Sequence, residues 1–166
     1  MGLISRVLDA AVVAFSAAVA VAAPLIDAQA LVPARLVPAP VAELRRRYAA
    51  EFGDYLVAEL PLFFRGLVLV EIAFLWPLSL ANLYGVLAGR RWASTTSLMA
   101  GVSSATSMAA ILAELLGSGR ASDKLLQMYV PFMVFALCAI LRGLLPRPGQ
   151  AVAAASHAPS ARKKRA

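Results

Sequence analysis

The chain has 166 residues, 61% of them apolar and only 15% charged, with a formal net charge of +7 and a mean hydropathy of +0.76. These values exclude an ordinary soluble domain of this size and describe one polytopic membrane domain. The basic surplus does not describe a nucleic-acid binder either, because it lies in short segments between apolar runs and not along one face beside stacking aromatics.

The first apolar run extends from Val7 to Ile26, preceded by Arg6 and closed by Asp27 and Gln29. Its positive start, alanine-rich middle and small residues at Val21, Ala22 and Ala23 imitate a cleavable signal. Its length nevertheless approaches the ~20 residues a span needs, and it is read as the first span, with Pro24 tolerated near its end. Residues 28–61 follow, with Pro33, Pro38, Pro40 and Pro61 among many charges. There Leu44, Tyr48, Phe52, Tyr55 and Leu56 recur at three- and four-residue spacing, which predicts a short amphipathic helix at the membrane surface, interrupted at Gly53.

Leu62 to Leu87 is the stretch around which the chain is arranged. Its 26 residues reach about 39 Å as a helix, enough to cross a hydrocarbon core of about 30 Å with tilt. Glu71 sits about 13–14 Å from its start, near the bilayer centre, where an ionised side chain costs about 2.5–3.5 kcal/mol on the mildest insertion scale. A basic turn with an interfacial aromatic, Gly89 to Trp92, leads to the third span, Ala93 to Leu116. The loop GSGRASDK then leads to the fourth, Leu125 to Leu145, which contains Pro131. Residues 146–166 are rich in alanine, proline and serine, end in RKKRA and are expected to form a disordered tail. The single cysteine, Cys138, lies inside an apolar run and permits no intrachain disulfide.

Four spans place both termini on one side. That side carries nine Arg and Lys residues against seven on the other, and the Arg45 to Arg47 cluster on the second side is balanced by nearby acids, so both termini are expected in the cytosol. The last four residues, Lys163-Lys164-Arg165-Ala166, resemble the dilysine retrieval signal of endoplasmic reticulum membrane proteins.

Three acids then fall in the lumenal half or at the midplane: Asp27 ends the first span, Glu71 sits mid-span in the second, and Glu114 lies near the lumenal end of the third. Glu114 is expected to snorkel toward water. Ser104, Ser107, Ile111 and Glu114 share one helical face, and Phe64, Leu67, Phe74 or Leu75, and Leu78 surround Glu71 with an apolar wall. Such faces build a greasy pocket holding one or two carboxylates, suited to an apolar molecule with a cationic amine or a hydroxyl. The plainer alternative is that Asp27 and Glu71 bridge helices through a shared proton. Catalysis has little support: the only histidine, His157, is in the tail, no His/Cys cluster suits a metal, no glycine-rich phosphate loop is present, and no cofactor is expected.

Four segments carry a family resemblance: IDAQALVP (Ile26 to Pro33), RRYAAEFGDYL (Arg46 to Leu56), VEIAFLWP (Val70 to Pro77) and MYVPF (Met128 to Phe132). In order and with nearly the same spacing from about residue 8 to 145, they resemble the EXPERA family, and within it the sigma-2 receptor branch. The family also contains the emopamil-binding sterol isomerases. The resemblance implies an all-α four-helix bundle over residues 1–145 in the endoplasmic reticulum membrane, binding sterols or cationic amphiphiles. It further implies a homodimer, a link to cholesterol handling and a possible sterol-transport protein as partner.

By the same resemblance Asp27 pairs with a ligand amine, Glu71 hydrogen-bonds with Asp27 deeper in the pocket, and Asp54 is a third family acid. Ser107, Tyr129 and Phe132 match pocket-lining positions. The chain departs from the receptor branch at Leu75, where that branch has a glutamine, and at Phe132, where it has a tyrosine, so a less polar pocket is expected. A sterol Δ8–Δ7 isomerase is the alternative activity; the family isomerases use a membrane histidine with their acids, and here the chemistry would rest on Glu71 and Asp27.

Overall fold

The computed structural model describes residues 2–145; the basic tail, with Lys163, Lys164 and His157, lies outside the described residues. Every regular element among them is helical. In order they are α1 (Leu3–Leu25), α2 (Ala39–Phe52), α3 (Tyr55–Glu59), α4 (Leu62–Val70), α5 (Trp76–Leu87), α6 (Ala93–Gly117) and α7 (Asp123–Leu144), with short 3₁₀ turns at Asp27–Ala30 and Ala34–Leu36. Four stretches are long and apolar enough to cross a membrane: Leu3–Ala30, Leu62–Leu87, Ala93–Gly117 and Asp123–Leu144. The first starts four residues earlier than its apolar run suggests, so Arg6 and Asp9 lie inside α1 rather than before it or at its edge.

The second span is one continuous helical rod with a fault in it. Pro77 has no N–H, and its ring presses on the carbonyl four residues back, so the α-helical ladder fails there. The chain answers with a π-helical turn over Glu71–Leu75, closed by the Trp76 N–H donating to the Glu71 carbonyl five residues back. Single π turns of this kind recur at functional sites because they re-aim side chains. The Trp76 indole nitrogen then donates to the Ala20 carbonyl of α1 at 3.2 Å, pinning the first span to the second.

The third and fourth spans approach most closely, and small residues permit it. A Cβ added at Gly101 would stand 2.8 Å from the Ala136 carbonyl oxygen and 2.8 Å from the Ile140 nitrogen. At Gly143 it would stand 2.8 Å from backbone atoms of Leu98. In lipid, where the hydrophobic effect gives helices no reason to associate, this backbone proximity is what supplies the packing energy. Gly101→Ala is therefore expected to destabilise the fold by about 1–3 kcal/mol, the usual cost of overpacking against atoms that cannot rotate away. Thermal unfolding in detergent reads this directly; an unchanged melting temperature would mean that the two helices slide apart without loss.

Residues 28–61 form a cap over one end of the bundle. α2 ends at Gly53, whose φ of 67° is the left-handed conformation that stops the helix. Asp54 then starts α3 by accepting from the Val57 N–H at 3.1 Å. Leu60 reverses the chain at φ 52°, an uncommon conformation for a side chain of its size, and Pro61 opens α4. Hydrogen bonds and an ion pair hold the cap together and tie it to the bundle. Gln29 Nε2 donates to the Leu25 and Val41 carbonyls at 2.6 and 2.9 Å, and Arg45 donates to the Val57 carbonyl. Lys124 Nζ donates to the Glu51 carbonyl at 2.8 Å, and Arg120 forms a two-toothed ion pair with Glu59. Arg120 also lies 3.9 Å over the Tyr55 ring and holds the Glu59 carboxyl below its ordinary value through that hydrogen bond.

At the opposite end, Arg142 of α7 is 1% exposed and reaches α1, its Nε 2.6 Å and its Nη2 3.4 Å from the two Asp9 oxygens. This ion pair joins the first and last spans.

Candidate functional site: an acid-lined cavity under the cap

Beneath the cap lies a cavity of about 140 Å³ to which α1, α2, α4, α6 and α7 all contribute. Asp27 and Glu71 both line it, with Tyr48, Val57, Tyr129 and Phe132 among its remaining walls. A second compartment of about 40 Å³ adjoins it, sharing Glu71, Phe64 and Phe132 and adding Ser104 and Ser107. Glu71 thus stands at the junction of the two spaces, at the first residue of the π turn.

Each polar side chain reaches this place for a local reason. Asp27 opens the 3₁₀ turn that follows α1, so the chain leaves the bundle just where its carboxylate faces the cavity. Glu71 is held by the register change that Pro77 imposes. Tyr129 is nearly buried, and its hydroxyl donates to Asp54 Oδ2 at 2.7 Å. Asp54 is fully buried and its other oxygen caps α3, so this acid positions Tyr129 and the cap from behind the cavity wall. The Tyr48 phenol is raised above its ordinary value by burial and then by the charges of Asp54 and Asp27. Its side chain lines the same cavity as Asp27 and Glu71. Phe132 packs edge-on against Phe15, with centroids 6.3 Å apart and planes at 70°, a favourable aromatic geometry.

The residues named from sequence sort as follows. Asp27, Glu71, Tyr129 and Phe132 meet at the larger compartment, and Ser107 lines the smaller. Of the two residues left open beside Glu71, Leu75 is buried and Phe74 is 39% exposed. Glu114 does more than snorkel: its Oε1 accepts from the Tyr55 hydroxyl at 3.3 Å, binding α6 to the cap. Met108, Met128 and Val57 are wall residues that the sequence reading missed; nothing in their local pattern distinguishes them from ordinary apolar positions. Among the described residues, no group of three or more His, Cys, Asp and Glu side chains is arranged to hold a metal ion.

Four helices long and apolar enough to span a bilayer describe a multi-pass membrane protein, and between them lies a cavity lined by two acids and aromatic side chains. The match to a family model is more specific. Residues 40–143 match that of EXPERA, the expanded EBP superfamily, and the chain belongs to this family. A comparison with the curated proteins finds no match.

Proposed function

We propose that the protein is a receptor-like, non-enzymatic member of the family, resembling the sigma-2 receptor, that binds a sterol or a cationic amphiphile in the cavity beneath the cap. The observation that carries this reading is the convergence of Asp27 and Glu71, from two different spans, on one space otherwise walled by apolar and aromatic side chains. A carboxylate in such surroundings has lost its water and gains most from a ligand that brings a cation or a hydroxyl proton.

The ring system of the ligand would replace lipid-like contacts with Phe64, Phe132 and the two methionines. The free volume is below the roughly 300 Å³ at which drug-sized sites begin, so occupation requires the walls to part. Met108 and Met128 are the side chains best able to do so, being unbranched and polarizable. Placement in the endoplasmic reticulum membrane with both termini cytosolic, a homodimeric state, and a role in cholesterol homeostasis with a sterol-transport partner belong to the same proposal. They are supported by the family match.

The test is a thermal-shift titration of the purified chain with a sterol panel and a cationic amphiphile, alongside incubation with a Δ8-sterol. A ligand at a hundredfold its dissociation constant stabilises the fold by about 2.7 kcal/mol. Stabilisation without sterol turnover is the expected result. Conversion of the Δ8-sterol by the purified protein would overturn the receptor reading in favour of an isomerase, and absence of any shift would overturn ligand binding.

A further inference from the structure

On the outer side of the cap a groove of about 1010 Å³ runs between the 3₁₀ turns, α2, α3 and the start of α4. Its floor is apolar, with Val32, Pro33, Val37 and Leu60, and its charged rim consists of Arg45, Arg46 and Arg65 against one acid, Glu59. Glu59 is already engaged by Arg120, and Arg46 is shared with Glu43 at 2.8 Å. Arg45 spends one donor on the Val57 carbonyl and feels the Asp27 charge. Among the described residues the Arg65 side chain makes no ion pair or hydrogen bond; only its backbone N–H is engaged, by the Pro61 carbonyl at 3.0 Å.

Arg65 is also placed unusually. It lies three residues inside a helix that begins at Leu62 and belongs to a membrane span, about 4.5 Å below the helix start. An arginine at that depth directs its guanidinium outward to the headgroup level. The groove thus offers an apolar floor and a rim with a surplus of cations, of which Arg65 is unpaired, beside the point where a span begins.

We propose that this groove is a binding site for an anionic phospholipid of the leaflet on the Asp27 side, its phosphate held by Arg65 with Arg45 and its upper acyl chain laid on the apolar floor. Guanidinium is suited to this role because its planar donors engage two phosphate oxygens at once. An acidic peptide would satisfy the rim but not the position, since Arg65 is anchored in the span itself. The chain's own tail, ending in RKKRA, carries the wrong sign.

The groove is a different space from the acid-lined cavity, though Val57 lines both, and its test, read at Arg65, does not depend on that reading. The full chain in detergent micelles is titrated with dioctanoyl phosphatidylserine and with dioctanoyl phosphatidylcholine, and unfolding is followed by temperature. The serine lipid is expected to stabilise the parent more strongly, and Arg65→Gln to raise its half-saturating concentration about tenfold, the loss of roughly one charge-assisted hydrogen bond. Arg65→Lys should recover part of the effect. Native mass spectrometry of the parent released from vesicles of equimolar phosphatidylserine and phosphatidylcholine gives a second readout, in which the serine lipid should be retained preferentially. Equal stabilisation by the two lipids, or an Arg65→Gln titration like that of the parent, would overturn the proposal. So would reproduction of the effect by inorganic phosphate or by polyglutamate alone, the first marking a soluble-anion site and the second a peptide site.

Discussion

Asp27→Asn is expected to weaken binding of a cationic amphiphile by about 10²–10⁴-fold, because an ammonium brought out of water loses its counter-charge, a change that costs about 3–5 kcal/mol for a buried pair. The carboxylate opens into a space walled largely by apolar side chains, Val19, Phe64 and Phe132 among them, which offer the ammonium no other counter-charge except Glu71. Binding of a neutral sterol should fall far less, since a hydroxyl can also bond to the asparagine oxygen. Without ligand the variant is expected to be at least as stable as the parent. A carboxylate facing Glu71 across apolar walls is a liability to the empty fold, and asparagine removes the charge while keeping the shape. The pair of readouts is diagnostic: Kd by displacement of a labelled amine, and melting temperature of the empty protein. If Asp27 only bridges helices, its replacement should lower the melting temperature and leave no ligand effect to lose.

The cap makes this arrangement possible. α3 is too short to hold itself, and it depends on Asp54, whose two oxygens serve the Val57 N–H and the Tyr129 hydroxyl. Val57 in turn carries the carbonyl that receives Arg45 and contributes its side chain to the cavity wall. A single buried acid therefore sets the roof, one wall and one aromatic of the cavity. The resemblance named Asp54 as a family acid; in the structure it holds α3 and Tyr129 from behind the wall, while Asp27 and Glu71 line the cavity.

How much of this could be read from the chain depended on whether a pattern repeated or a single residue decided. Hydropathy over twenty residues averages out local detail, so the four spans, and the break at Gly53, were legible. Three- and four-residue stepping put Ser104, Ser107 and Ile111 on one face, and all three line the smaller compartment. The π turn at Glu71 was not read, although its cause, Pro77, stands in plain sequence. Proline predicts that the ladder fails, but only the packing of Trp76 against α1 decides whether the chain kinks or widens. Asp9 and Arg142 were passed over for a related reason. Each looks like a charge at the edge of an apolar run, and their pairing spans 133 positions of sequence, beyond any local rule.

That pair supports the second large effect. Arg142→Ala is expected to destabilise the fold by about 3–5 kcal/mol, because removing one partner of a buried pair leaves the desolvated remainder behind. Asp9 keeps 16% of its side-chain surface exposed, so the lower end of that range is the better figure. The same arginine also donates to the Leu145 carbonyl at 3.3 Å, closing the end of α7, and its loss should fray that end. A double replacement, Asp9→Leu with Arg142→Met, distinguishes the pair's worth from the cost of breaking it. Apolar groups of similar length at the edge of a bilayer are expected to recover most of the stability, as buried ion pairs exchanged whole for hydrophobic contacts often do. Thermal unfolding of the parent, Asp9→Leu, Arg142→Met and the double variant closes the cycle. Recovery in the double variant would mean that the pair chooses which helices meet, α1 against α7, rather than supplying the energy that holds them. A double variant as unstable as Arg142→Ala would show instead that the charges themselves hold this end of the bundle. Neither outcome should alter ligand affinity, because the pair sits at the opposite end of the spans from Asp27, and a change there would mean that the two ends of the bundle are coupled.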